Sequence, residues 1–182
     1  MSGRFIAVVG PSGVGKDSVM RALAAEEPRL HLTRRIITRP ADAGGENHRA
    51  VTVAEFEKLR AEGAFALAWS AHGHAYAIPA SVDHVLGNGQ DLLANLSRGA
   101  LVEARARFRR VEVLWLSARA EVLAARLAER GRESREQIAG RLARNVEAKR
   151  DAGAIALDNS GCLAHTVARA RAALYPDMAR DG

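Results

Sequence analysis

The chain has 182 residues, 26% of them charged and 48% hydrophobic, with 27 basic against 21 acidic side chains and a formal net charge of +6. That length suits one domain with a substantial core, no apolar run approaches membrane-spanning length, and a single cysteine, Cys162, excludes an internal disulfide and is expected to pack as a small apolar residue. Only Lys16, Lys58 and Lys149 are lysine, so 24 of the basic residues are arginine; they are interleaved with acids and lack an aromatic-basic stacking pattern, which speaks against a nucleic-acid binder.

The first predicted element is Phe5-Ile6-Ala7-Val8-Val9, short, apolar and β-branched, as a buried parallel strand is. It is too short for a secretory signal and leads straight into glycine-rich sequence, so a cytoplasmic location is expected. Gly10-Pro11-Ser12-Gly13-Val14-Gly15-Lys16-Asp17 follows, and Val19, Met20, Leu23 and Ala24 then recur at helical spacing up to Glu26. Strand, glycine loop and helix together are the context a phosphate-binding loop requires. The glycines let successive N–H groups face one point, and the helix N-terminus adds positive potential there. Lys16 can then reach the β- and γ-phosphates of a nucleotide. The nucleotide-binding set is Gly10, Pro11, Ser12, Gly13, Val14, Gly15, Lys16, Asp17 and Ser18.

One letter departs from the pattern. A Ser or Thr whose hydroxyl ligates Mg²⁺ usually follows the lysine; here Asp17 stands there, with Ser18 next. Two readings remain open. Asp17 meets the magnesium, directly or through a water, because a carboxylate beside phosphates needs a cation between them. Alternatively, it only complements the helix dipole.

Leu30 to Ile37 reads as a second strand entering the loop Thr38 to His48, whose charge and glycine suit binding better than burial. An amphipathic helix is predicted over Val53 to Glu62, capped by Thr52 and stopped by Gly63. Strands are predicted at Ala64 to Ser70 and Ala75 to Ile78 around the turn Ala71-His72-Gly73-His74, then a helix from Ala80 to Leu86 closing at Gly87-Asn88-Gly89. His72 and His74 face the same way in a strand, but no third ligand at zinc-like spacing accompanies them, so a metal site is not expected there. Trp69 and Trp115 read as core. Asp91 to Leu96 is an apolar strand ending at Ser97-Arg98, a helix runs to Phe108, and Val111 to Leu116 is a core strand. Helices follow over Arg119 to Arg130 and Ser134 to Lys149, hinged at Gly131. The last strand is Ala154 to Leu157 and the closing helix Leu163 to Leu174. Strands alternating with helices predict an α/β fold, a parallel sheet covered on both faces with ligands at the strands' C-terminal ends.

The order of motifs resembles the guanylate-kinase branch of the P-loop nucleoside monophosphate kinases. Thr38-Arg39 followed by Gly45-Glu46, then Gly63-Ala64-Phe65 and Tyr76, Arg126-Leu127 through Arg130-Gly131, and Arg141 carry that resemblance. Within the branch, the chain is similar to the ribose 1,5-bisphosphate phosphokinases in Gly10 to Ser18, Ile37 to Pro40, Gly44 to His48, Asn95 to Arg98 and Arg130 to Glu133, over residues 4 to 174. The departures from guanylate kinases are physical ones. That family grips the nucleotide's phosphate with two arginines three apart plus tyrosines; here Arg39 matches the first, Asp42 stands at the second and His48 replaces a tyrosine. Phe65-Ala66-Leu67-Ala68-Trp69 offers no acid to pair with guanine's N1 and N2 donors. A pocket that keeps phosphate contacts while losing its base reader suits a phosphorylated sugar.

The resemblance implies a P-loop kinase with a parallel five-stranded core sheet flanked by helices, an acceptor-binding insert and a helical lid. It implies one kinase domain over 1–182, with core at 1–32, 89–125 and 151–182, acceptor region at 33–88 and lid at 126–150. The implied reaction carries the γ-phosphoryl of ATP, with Mg²⁺, to ribose 1,5-bisphosphate, giving 5-phosphoribosyl 1-diphosphate and ADP in phosphonate catabolism. Lys16, Arg130 and Arg141 are implied as catalytic, with Arg126, Arg132 and Arg144 beside them over the transferring group. Arg126 and Asn159 are implied at the nucleotide, Asn159 from the adenine-side loop Asp158-Asn159-Ser160. Arg39, Glu46, Asn47, His48, Tyr76, Asn95, Ser97 and Arg98 are implied at the acceptor. The acceptor oxygen belongs to a phosphate already ionised near pH 7, so no general base is required. The expected partners are ATP and a phosphorylated sugar, with neither nucleic acid nor membrane. Two alternatives stand beside this reading: a kinase of the same fold acting on GMP, and a catalytically silent guanylate-kinase-like binding module. A silent module needs neither an intact Lys16 loop nor an arginine-rich lid.

Overall fold

Five consecutive buried residues, Phe5–Val9, form β1 in the computed structural model, which describes residues 2–40, 47–129 and 151–176. Each β1 side chain has zero exposure, so the strand shows no alternation: it is covered on both faces, as an interior parallel strand must be. After it come α1 (Lys16–Glu26), β2 (Leu30–Leu32), β3 (Ile36–Ile37), β4 (Arg49–Ala50), α2 (Val53–Ala61), β5 (Phe65–Ala71), β6 (His74–Pro79), α3 (Val82–Gly87) and β7 (Asp91–Asn95). A single 3₁₀ turn (Arg98–Ala100) leads into α4 (Leu101–Arg107), followed by β8 (Val111–Ser117), α5 (Ala120–Glu129), β9 (Ile155–Asp158) and α6 (Leu163–Leu174).

The five-stranded parallel sheet has the order β2-β7-β1-β8-β9, with β1 at its centre as the fold class requires. A second sheet, β4-β3-β6-β5, is mixed: β3 runs parallel to β4 and antiparallel to β6, and β5 runs antiparallel to β6. Most predicted elements fall within two residues of their observed ends, and α6 matches throughout. The strand predicted over Leu30 to Ile37 is corrected. It is two strands in different sheets, because Thr33 N donates to Leu93 O of β7 while Arg35 O already accepts from Arg49 N beside β4. Apolar patterning records burial, not which sheet does the burying. The two-residue β4 has no hydrophobic signal and was not anticipated. The predicted helix Ser134 to Lys149, its hinge Gly131 and all but 126–129 of the lid lie outside the described residues.

Two compact units make up the chain: Met1–Ala7 with Glu27–Glu112, and Val8–Glu26 with Val113–Gly182. In the first, Ile36 and Ala77 of the mixed sheet pack on Phe56 of α2, with Val51, Phe65, Ala68 and Ala75 around them. The Thr52 hydroxyl caps α2 by accepting from Glu55 N at 3.1 Å, and Gly63, at φ +71°, turns the chain out of it. Asp91 binds Arg4 three ways: Oδ1 accepts from its backbone N (2.7 Å), and Oδ2 from Nε (3.0 Å) and Nη2 (2.6 Å). In the second unit, α6 packs on α1, burying Val167, Ala170 and Leu174 together with Val19, Met20 and Leu23. Three burial expectations are corrected. Trp69 and Trp115 are only half-buried, and Cys162 is exposed at the N-cap of α6, where the loop ahead of the helix has left the core. Among the described residues no helix is long and apolar enough to cross a membrane.

Phe56 is the side chain that closes one face of the mixed sheet, with its ring centroid 4.7 Å from that of Phe65. Phe56→Ala should therefore lower stability by about 3–5 kcal/mol, read as a fall in the urea midpoint at unchanged slope.

Candidate active site

The phosphate loop turns on glycines that no other residue can replace. Gly13 and Gly15 take φ of +83° and +92°. A Cβ on Gly15 would lie 2.8 Å from Asn159 Nδ2, and one on Gly10 2.5 Å from Leu116 O. The loop is thus curled and pressed against its neighbours within one unit. Val14 N donates to Pro11 O at 3.4 Å, and Val19 N to Gly15 O at 3.0 Å, which starts α1. The Lys16 ammonium lies across the loop, donating to Gly10 O at 2.9 Å and Pro11 O at 3.1 Å. Arg126 of α5 donates to Val14 O at 3.3 Å. The side chains of Lys16 and Arg126, expected at the nucleotide, therefore both contact this loop. Ser12 and Asp17 are half-buried and Ser18 is exposed, with Asp17 in the first turn of α1.

Asn159, expected at the nucleotide, lies against the same loop. It is 3% exposed, its Nδ2 donates to Val14 O at 2.7 Å, and its Oδ1 accepts from Thr166 Oγ1 at 2.8 Å. Each end of the amide thus has a partner inside the protein, and the side chain links the phosphate loop to α6. The residues on either side are tied down as well. Asn159 N donates to Ser117 O (2.7 Å), Arg119 N to Ser160 Oγ (2.8 Å), and Ser160 N and Oγ to Asp158 Oδ1 (2.9 and 2.6 Å). The Ser160 hydroxyl bond, then the Ser160 N–H, hold the Asp158 carboxyl below the ordinary aspartate value. Slight burial opposes this, and Arg119 and Arg169 add smaller attractions.

The acceptor-side residues belong to the other unit. Thr38 fastens the end of β3 to β6: its Oγ1 accepts from Ala75 N (2.9 Å), its N donates to Ala75 O (3.0 Å), and its O lies 3.0 Å from His74 Nδ1. Arg39 follows, half-buried. His48 is 4% exposed; its Nε2 lies 3.1 Å from Arg39 O, and its own carbonyl accepts from Arg34 Nη2 at 3.1 Å. His48 thus supports the backbone of Arg39, where an acceptor contact was expected of it. Tyr76 is buried and stacked on Trp69, centroids 5.5 Å apart at 10°. Asn95 is buried at the end of β7, Ser97 is half-buried, and Asn47 and Arg98 are exposed. Glu46, Arg130 and Arg141 lie outside the described residues.

One residue escaped the sequence reading. Arg35 is 7% exposed, its guanidinium 5.1 Å from the Tyr76 ring centroid and 5.8 Å from that of Trp69. Ile37 pairs with Tyr76 and Trp69 with Tyr76, so one face of the mixed sheet carries this arginine-aromatic stack while the other is closed by Phe56. The signal was present: Arg35 stands two residues before Ile37, and alternate strand positions share a face. Among the described residues no group of three His, Cys, Asp or Glu could hold a metal ion.

No family model matches the chain. Curated relatives do. It is 48% identical over 163 residues to ribose 1,5-bisphosphate phosphokinase PhnN of Agrobacterium fabrum, covering 87% of this chain and 89% of that one. It is 45% identical to the protein of the same name from Ruegeria sp. (97% and 94% covered) and 46% identical to that of Pseudomonas paraeruginosa (98% and 99%). Among solved structures it resembles the guanylate kinase of Anaplasma phagocytophilum, with a TM-score of 0.71 at 17% identity, covering 99% of this chain and 88% of that one. A gluconokinase from Sinorhizobium meliloti gives a TM-score of 0.54 at 20% identity, covering 98% and 96%. At those identities the structures show the fold alone.

The Asp158 carboxyl generates a pH prediction. A carboxyl depressed on folding contributes stability above its unfolded value of about 4, and that contribution is lost as pH falls through the folded value. Asp158 is exposed, so the effect is small. Asp158→Asn should show a shallower fall in melting temperature than the parent chain as pH drops from 5 to 2.

Proposed function

The chain belongs to the ribose 1,5-bisphosphate phosphokinase family, and from that premise we propose that it transfers the γ-phosphoryl of ATP to the 1-phosphate of ribose 1,5-bisphosphate, releasing ADP and 5-phosphoribosyl 1-diphosphate. It is a phosphotransferase. The observation that carries the reading is the curled loop, with positive-φ glycines at 13 and 15 and the Lys16 ammonium already within it. A silent module has no use for such a loop.

Phosphoryl transfer asks the protein mainly for positioning and charge. The loop's N–H groups and the N-terminus of α1 hold the β- and γ-phosphates. Lys16 exchanges its two carbonyl partners for phosphate oxygens, gaining charge-assisted bonds in place of neutral ones. Arg126 reaches the same loop from α5 and supplies a second cation. Asp17, with Ser18, is the residue that would hold Mg²⁺, and the ion when bound neutralises charge developing on the phosphate oxygens. Arg39 grips the acceptor, its backbone held by His48. Glu46, Asn47, Tyr76, Asn95, Ser97 and Arg98 complete the acceptor set, and Arg130 and Arg141 serve the transferring group. GMP is not the acceptor favoured: β5 presents Ala66, Leu67 and Ala68 where a base reader would need a carboxylate.

Lys16→Ala should abolish ATP turnover in the presence of ribose 1,5-bisphosphate, followed as ADP release; turnover that survived would remove the loop from the mechanism. Arg39→Ala should raise the acceptor's KM by roughly tenfold to a hundredfold and leave the KM for ATP unchanged, as loss of one charge-assisted phosphate contact does. An equal rise in both would make Arg39 an anchor of its loop only.

A further inference from the structure

We propose that Asn159 is a positioning residue for phosphate transfer, locking the Val14–Gly15 peptide of the loop so that the Gly15 N–H faces the triphosphate. This inference rests on the nucleotide-binding reading of the loop and on nothing about the acceptor.

In a trans peptide the C=O of one residue and the N–H of the next point in opposite directions, and no peptide among the described residues is cis. The Val14 carbonyl is drawn to one side by two donors, Asn159 Nδ2 at 2.7 Å and Arg126 Nη1 at 3.3 Å. The Gly15 N–H is thereby turned to the other. The lock matters because of the glycine. Gly15 sits at φ +92°, and a residue without Cβ tolerates both orientations of the peptide before it. A flip would present the Val14 oxygen, not the Gly15 N–H, to the anion: a repulsive dipole in place of an attractive one. The residue that lets the loop curl is the one that lets it flip, and Asn159 closes the second option.

The amide itself is held in the orientation this needs. Reversed, its oxygen would face the Val14 oxygen at hydrogen-bond distance, and its NH₂ would face the Thr166 hydroxyl. The Val14 carbonyl can only accept and so selects the working orientation, and Thr166, 2% exposed, supports it by donating to Oδ1 at 2.8 Å with Asp158 O a longer alternative acceptor at 3.3 Å. The backbone of Asn159 is fixed by Ser117 O, and Gly15 packs close enough that any Cβ would strike Nδ2. Neither Asn159 nor Thr166 needs to touch the nucleotide to set its affinity.

The test uses the full chain and two probes in calorimetric titrations, ATP and inorganic tripolyphosphate. Asn159→Ala and Thr166→Val should weaken both probes to the same extent, on the order of tenfold, whereas Thr166→Ser, which keeps the hydroxyl, should stay within about twofold of the parent. The Thr166 pair carries the test if Asn159→Ala fails to fold. Weakened ATP with unchanged tripolyphosphate would place Asn159 at the base and overturn the proposal. A lower melting temperature with both affinities unchanged would make the contact mere scaffolding and overturn it too. A parent chain that bound neither probe would defeat the nucleotide reading itself, and this inference with it.

Discussion

Successive backbone N–H groups can face one anion only if the chain takes φ values that side chains forbid, and the segment between β1 and α1 meets that condition. Everything around it follows from the space this curl demands. Gly10 lies so near Leu116 O that β8 must run alongside, and Gly15 so near Asn159 that the loop after β9 must stop there. The full burial of β1 is the other half of the constraint. A loop that must hold its shape without a ligand is launched from the strand with no solvent-facing side, and its last residues begin the helix that α6 covers.

The mixed sheet depends on a different device. The chain leaves the parallel sheet at Thr33 and enters the mixed sheet by Arg35, three residues that carry it between two hydrogen-bonding partners. Once there, period-two alternation divides the labour: Ile36 goes to the Phe56 core and Arg35 to the Trp69–Tyr76 stack. A guanidinium against aromatic faces keeps its in-plane N–H edges for hydrogen bonding, because the rings take its faces. Thr38 and His48 then fix the backbone on either side of Arg39. The backbone around Arg39 is thus fastened by a threonine hydroxyl on one side and a buried imidazole on the other.

Arginine is abundant enough in this chain to blur any reading by type, and geometry sorts it. Arg4 is bound to Asp91 through both its backbone and its guanidinium, which joins the start of β7 to the entry of β1. Arg49 and Arg60 make exposed pairs with Glu55 and Glu57, contacts of the kind worth little in water. Arg126 reaches the phosphate loop and Arg35 the aromatic stack. Those two are buried or half-buried and set against functional backbone or rings, which separates them from the surface population.

The sequence by itself determined the fold class, the phosphate loop and the family, because each rests on local order. A β-branched run, glycines at fixed spacing and a helical repeat are read within a dozen residues, and motif order along the chain did the rest. Arg39 and Tyr76, close in the sequence, also share one compact unit. Tertiary structure alone decided what Asn159, His48 and Arg35 do. Asn159 lies 145 positions from the carbonyl it holds, and nothing near it in the chain announces that partner. His48 stands out in the sequence because its loop also holds Arg39 and Glu46, and folding buries it against the Arg39 backbone. The split of Leu30 to Ile37 between two sheets was equally hidden, since hydrophobic periodicity reports that a residue is buried and is silent on what buries it.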